Sequence, residues 1–172
     1  RQNRAMDNAQ DTESATSGSD RFIDRGKRIY DLGDEILVVC PKCSGMAKVT
    51  LNVDIPAKLN DRLFAPRRLV CTKCLYRDKW AGRQVSVGGP ADWYFGLPLW
   101  LTESCCGEVL WAYDLKHLEM IESYVAAKLR ERTNKGRNSF LSKLPKWLKS
   151  SKNRDEILRS IGKLKRKLNA GT

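Results

Sequence analysis

The chain has 172 residues, with 32 Lys and Arg against 20 Asp and Glu, a net charge of +12, and 41% apolar residues. That length suits one domain with appendages, and the apolar fraction excludes a wholly disordered chain. The longest apolar stretch, nine residues from Trp93 to Leu101 interrupted by Gly96 and Pro98, falls far short of the ~20 needed to span a bilayer.

The charge is unevenly spread: net −2 over residues 1–40, +6 over 41–100, −4 over 101–127 and +12 over 128–172. Such asymmetry points to a polyanionic partner, set against the plainer reading of a solubilising surface. It predicts two contact surfaces, with the C-terminal one the stronger. Residues 1–20 hold no large aliphatic or aromatic side chain and no apolar signal core, so residues 1–34 are expected as a disordered or extended arm of a cytoplasmic protein.

Ile36 to Val39 reads as a strand entering Cys40. Ala47, Val49, Leu51 and Val53 alternate with polar residues, the period of a half-buried strand. Pro56 to Pro66 is a connection with one short helical turn, Arg68-Leu69-Val70 leads to Cys71, and Trp80 to Val87 is a further strand ending at Gly88-Gly89-Pro90. Leu97 to Leu101 and Val109 to Tyr113 predict two strands around Ser104 to Gly107. Asp114 predicts an N-cap for a helix whose apolar face, Leu115, Leu118, Ile121, Tyr124 or Val125, and Leu129, runs to about Arg132 and is ended by Asn134 to Gly136. Phe140 to Leu148 is a short amphipathic piece broken at Pro145. The last helix is expected to start at Asn153 with Glu156 as capping-box partner, and its stripe is Ile157, Leu158, Ile161, Leu164 and Leu168.

Two pairs carry the chemistry: Cys40-Pro41-Lys42-Cys43 and Cys71-Thr72-Lys73-Cys74, with 27 residues between them. Each C-x-x-C turn brings two thiolates to one side of a tight loop, and two such turns on adjacent hairpins complete a tetrahedral sulfur cage for one structural Zn2+. Four thiolates leave no open position for water, so the metal is structural. Disulfides are disfavoured without a secretory signal, a thioredoxin-like pair needs a βαβ setting, and ferredoxin spacings are absent. Cys105 and Cys106 read as buried apolar residues or as a reactive pair, for which the single histidine, His117, would have to serve as base.

Around the second pair lie Arg67, Arg68, Lys73, Arg77, Lys79 and Arg83, and the last helix adds Lys163, Lys165, Arg166 and Lys167. These are the candidate nucleic-acid contacts, phosphate-directed and sequence-tolerant. Trp80, Trp93, Trp100 and Trp111 sit among aliphatics and read as core rather than as stacking platforms.

The Cys-Pro-x-Cys knuckle, the second C-x-x-C, the stretch Phe95 to Arg132 and the segment Lys143 to Leu158 resemble a group of bacterial proteins containing a transcription factor IIB-type zinc ribbon, over about residues 35–168. The resemblance implies the ribbon fold and its metal, without an assigned activity. The expected architecture is α+β: a zinc ribbon of antiparallel strands at 35–90, a Trp-rich β element plus amphipathic helix at 91–133, and a basic α-helical region at 134–172. The expected function is non-enzymatic nucleic-acid binding (DNA or RNA), with no membrane and no small-molecule substrate. The alternative is a protein adaptor docking through the ribbon, its basic helices on an acidic partner.

Overall fold

The computed structural model describes residues 21–52, 59–132 and 138–171. The expected disorder of residues 1–20 and the helix stop at Asn134 to Gly136 lie outside the described residues. Among the described residues, eight strands and four α-helices follow in order: β1 Arg21–Asp24, β2 Glu35–Val39, β3 Met46–Leu51, α1 Leu59–Phe64, β4 Arg67–Cys71, β5 Arg77–Trp80, β6 Leu101–Cys105, β7 Glu108–Ala112, α2 Leu115–Ala126, β8 Leu129–Arg132, α3 Lys146–Lys149 and α4 Arg154–Ala170. No helix among the described residues is long and apolar enough to cross a membrane.

The ribbon is an antiparallel sheet in the order β2-β3-β4-β5, registered as Ile36↔Val49, Ala47↔Cys71 and Leu69↔Asp78. Alternation along β3 and β4 sends Ala47, Val49, Leu69 and Cys71 into the core, while Lys48, Thr50 and Arg68 face away. Both knuckles are hairpin loops at one end of this sheet. The unusual length between them is the β3–β4 excursion at the other end, where the Asn52 N–H meets the Pro66 carbonyl at 2.9 Å and α1 supplies the expected helical turn. The strand expected over Trp80 to Val87 is shorter and earlier, ending at Trp80.

The free edge of β2 is taken by residues far along the chain. The Leu37 N–H donates to Tyr113 at 2.7 Å, Val39 to Pro98 at 2.9 Å, and Trp100 returns a bond to Leu37 at 2.9 Å. Because Leu97 to Leu99 is used in these bridges, the next hairpin starts at Leu101 rather than Leu97. The Asp92 carboxylate fixes that approach by accepting the N–H groups of Tyr94, Phe95 and Leu97. β6 and β7 then pair through a two-residue turn, Cys106-Gly107, with φ of 56° and 78°, the left-handed pair of a type I′ turn.

Asp114 caps α2 as expected, its carboxylate accepting the His117 N–H at 2.7 Å. The helix nevertheless stops at Ala126, not near Arg132. Its last carbonyls are taken by two guanidinium groups: Arg130 donates to Tyr124 at 2.9 Å, and Arg154 donates to Val125 at 3.0 Å and to Ala127 at 3.2 Å. Past them the chain becomes β8 and pairs in parallel with β1, so the N-terminal segment from Arg21 is folded into the protein and Leu32 is core. Beyond Phe140 a 3-10 turn at Leu141–Lys143 and the short α3 flank Pro145.

The expected cap at Asn153 is absent: that residue has helical backbone and its amide donates to the Trp147 carbonyl instead. α4 buries Ile157, Ile161 and Leu164, with Leu158 and Leu168 half-buried. One continuous core runs from Leu32 through Val49, Trp93, Leu110 and Ile121 to Leu164. The described residues of the three expected segments therefore share one core, and α4 forms part of its wall.

Candidate metal centre

The two knuckles have the same backbone. In each, the N–H of the first cysteine donates to the carbonyl five residues on, Cys40 to Gly45 and Cys71 to Tyr76, both at 2.8 Å. In each, the residue after the second cysteine is left-handed, Ser44 with φ 57° and Leu75 with φ 60°. This tight loop points N–H groups at sulfur: Lys42 toward Cys40 at 3.4 Å and Cys74 toward Cys71 at 3.5 Å. Gly45 allows the two loops to approach, since a Cβ there would lie 3.1 Å from Lys73 Cδ and 3.3 Å from Cys43 Sγ.

The β3–β4 pairing brings the loops together, and the four Sγ atoms lie within 4.8 Å of one another. Cys40 and Cys74 sulfurs are 3.7 Å apart and those of Cys43 and Cys71 3.6 Å. These are two opposite edges of a tetrahedron. A zinc–sulfur bond of about 2.3 Å requires tetrahedral edges of about 3.8 Å, which these two edges match. All four cysteines are free thiols. Burial would raise the Cys71 thiol, but the N–H groups of Cys74 and Lys73, together with the neighbouring thiols, bring it down to about 6. The Tyr76 N–H favours the Cys74 thiolate, yet burial and three adjacent sulfurs push it up to about 12. Four thiolates this close repel one another, and a divalent cation is what would let all four ionise together. Bound zinc would carry no catalytic position here; it would lock the two hairpins.

The expected basic contacts separate into four locations. Arg68, Arg77 and Lys79 share the outer face of the ribbon with Lys48, which the sequence reading overlooked although it alternates with the core residues of β3. The register sets them in two rows, Lys48–Val70–Arg77 and Thr50–Arg68–Lys79, lining one shallow groove with Asp78 at its edge. Lys48 also lies 3.6 Å from Glu35, an exposed pair. Arg83 lies elsewhere, beside Phe64 and Phe95.

Arg67 is a correction. It is 2% exposed and points to the opposite, interior face, where Nη1 donates to Gly33 at 2.8 Å and Nη2 to Arg62 at 2.6 Å, with the guanidinium 4.4 Å from the centre of the Tyr94 ring. Burial lowers its pKa, and no phosphate can reach it. Its work is to tie α1 and Gly33 to the sheet.

The α4 cations are largely engaged by the protein. Lys163 pairs with Glu103 at 2.9 Å and Lys165 with Glu122 at 2.5 Å. Lys167 donates to the Trp100 carbonyl at 2.7 Å and sits 4.4 Å over its ring. Arg166 is exposed, and Lys73 shares a groove with Lys167 where the end of α4 reaches the knuckles.

Of the four tryptophans expected as core, one is buried, and Trp80, Trp100 and Trp111 are half-buried against the core. Trp93 is buried, and Trp80 packs edge-on against Tyr94 at 4.8 Å. His117 is 2% exposed, enclosed by Trp111, Tyr113 and Phe140, and its Nδ1 accepts the Tyr113 N–H at 3.2 Å. Burial pushes its pKa down to about 4. The Cys106 thiol is pushed up to about 12 by burial, by Cys105 and by Glu156, the opposite of an activated nucleophile. No family model, curated protein or solved structure matches the chain. The zinc-ribbon reading therefore stands on the four-cysteine cluster and the antiparallel sheet that carries it.

Proposed function

We propose that the protein is a non-enzymatic, zinc-stabilised nucleic-acid-binding protein of the cytoplasm, whose ribbon meets phosphates through its outer face. The observation that supports this reading is the array of Lys48, Arg68, Arg77 and Lys79 on two adjacent rows of a sheet fixed at its knuckle end by a four-thiolate cage. Strand geometry sets those rows about 6.6–6.8 Å apart, so several cations face one surface. Zinc would act at a distance from the phosphates by holding the β4–β5 hairpin flat against β3. A compartment that keeps thiols reduced suits the free cysteines.

Four neutralised phosphates give a slope of about −3.6 in log affinity against log salt on duplex, and about −2.8 on single strands. Between 50 and 200 mM salt, affinity for a mixed-sequence duplex should fall about 150-fold, and for a single strand about 50-fold. Fluorescence anisotropy on labelled oligonucleotides measures both, and an affinity indifferent to salt would overturn the proposal. The adaptor reading has one observation of its own: Leu75, at the tip of the second knuckle, is 69% exposed and held in a left-handed conformation that leucine disfavours. A stable co-purifying protein that is lost when Leu75 is changed, in preparations free of nucleic acid, would favour that reading.

A further inference from the structure

Among the described residues, three non-glycine residues have positive φ: Ser44, Leu75 and Cys106. The first two close the zinc knuckles. The third belongs to a separate cluster, remote in sequence from the ribbon cysteines, and the strain there has no ribbon to explain it.

Cys106 occupies the first central position of the β6–β7 turn, where Asn, Asp or Gly is the ordinary choice. A residue that departs from the local rule, in a strained conformation, marks a candidate site when other functional groups converge on it. They do. The sulfurs of Cys105 and Cys106 are 3.6 Å apart, close to the ~3.8 Å edge of a zinc–thiolate tetrahedron. Glu156 reaches across from the first turn of α4, and one carboxylate oxygen accepts the Cys106 N–H at 2.7 Å. The two sulfurs and a Glu156 oxygen lie within 4.8 Å of one another. Glu156 is the residue whose position suggested a capping box; its carboxylate is instead turned away from its own helix end and onto this turn.

We propose that Cys105, Cys106 and Glu156 form a second cation site, selective for a thiophilic divalent ion of the zinc class. Two thiolates and one carboxylate favour zinc-like over magnesium-like ions. Cys105 is buried and holds one donor rigidly, Cys106 is half-buried, and Glu156 is exposed. A bound ion needs sulfur–oxygen separations of about 3.6 Å, and the exposed Glu156 side chain supplies the closing movement. Three protein donors leave a fourth position open to water or an exogenous ligand. The ribbon cage has no such position, so this ion exchanges where the ribbon ion does not. Binding would displace the two thiol protons to solvent and pin α4 to the β6–β7 hairpin.

The test counts zinc per chain in the full-length reduced protein, by equilibrium dialysis against buffered free Zn2+ followed by elemental analysis. The wild type should bind one more zinc than Cys106→Asn, which suits the turn and should melt no lower than wild type. Glu156→Gln keeps an acceptor for the Cys106 N–H but should weaken the additional site by at least the 10–100-fold that loss of even an outer-sphere partner produces. Equal zinc counts in wild type and Cys106→Asn overturn the proposal, as does an unchanged affinity in Glu156→Gln should the asparagine variant fail to fold. Because the count is a difference between wild type and variant, it is independent of whether the ribbon itself is loaded and of whether the protein binds nucleic acid.

Discussion

Two triple variants with the same change in net charge test where the cationic surface is. The first, Arg68→Gln, Arg77→Gln and Lys79→Gln, strips the outer face of the ribbon and leaves Lys48. The second, Lys163→Gln, Lys165→Gln and Arg166→Gln, strips α4. Each removes three positive charges, so an effect of net charge alone would be equal in both. The structure makes them unequal. The ribbon cations project from one sheet face, while Lys163 and Lys165 are already paired with Glu103 and Glu122. At about 0.9 in salt slope per phosphate, the ribbon variant should fall from a slope of about −3.6 to about −0.9, and lose about 2.7 decades of duplex affinity at 0.1 M salt. The α4 variant should lose less than about tenfold, through a field already screened over a Debye length of about 10 Å. Anisotropy titrations at four salt concentrations, with melting temperature and zinc content as controls, give both numbers. Equal losses, or a greater loss in the α4 variant, would refute the assignment of the contact surface to the ribbon.

Removing zinc from the reduced protein with a strong chelator should unfold the ribbon, because an apparent binding energy of about 10–16 kcal/mol matches or exceeds the whole stability of about 5–15 kcal/mol of an ordinary domain. Far-UV circular dichroism unchanged by chelation would count against a structural metal. Arg67→Met keeps the stem but strips two charge-assisted bonds at about 1.5–3 kcal/mol each, so it should lower stability by about 3–6 kcal/mol. Measured by thermal melts at about 2–4 °C per kcal/mol, that is a loss of about 6–24 °C; a mutant that melts normally but binds nucleic acid poorly would instead return Arg67 to the contact surface. His117 is buried neutral, with a folded pKa of about 4 against an ordinary 6.5. The unfolded chain therefore binds the extra proton first, and stability present above pH 6.5 is lost as the pH falls toward 4, by an amount on the order of 3 kcal/mol. His117→Asn, which retains an acceptor for the Tyr113 N–H, should show a shallower fall in denaturant midpoint over that window; parallel curves would show that the imidazole does not titrate there.

What the sequence made legible was local. Cys40 to Cys43 and Cys71 to Cys74 declare themselves because four residues suffice to specify a knuckle, and Asp114 declares the start of α2 because its partner is three residues away. Arg67 and Arg68 show what local pattern cannot decide. They are adjacent, equally basic, and on opposite faces, one buried and one exposed, and only the β3–β4 register separates them. β8 was unreadable for a similar reason. Leu129 to Arg132 continues a helical pattern, but β1, more than 100 residues earlier, offers a backbone edge, and Arg130 and Arg154 terminate α2 from outside. The apolar Leu129 that seemed to extend the helix face is 53% exposed. Lys48 is the opposite case: the alternation that sets Val49 in the core also sets Lys48 on the outer face, and that alternation is legible in the sequence.

The uneven charge of the chain takes a different meaning from this packing. A basic C-terminal region invites the test of deleting residues 134–172, yet that deletion would remove Ile157, Ile161 and Leu164 from a core shared with the ribbon. Lost affinity would then report unfolding, not lost contacts. Trp100 shows how tightly the two are joined. Its N–H donates to Leu37 on the edge strand of the ribbon, and its ring lies beneath Lys167 near the end of α4. Tilting α4 strains the edge of β2, and β2 runs directly into Cys40. Knuckle and helix share one core, so loss of the ribbon metal should loosen α4 within the same cooperative transition rather than in a separate one. The charges of α4 have their first role inside that unit: those of Lys163 and Lys165 balance Glu103 and Glu122 of the acidic stretch at 101–127, and that of Lys167 rests on Trp100. The ribbon sets Arg68, Arg77 and Lys79 outward on one sheet face, and α4 keeps Arg159, Lys163 and Arg166 exposed beside its engaged cations.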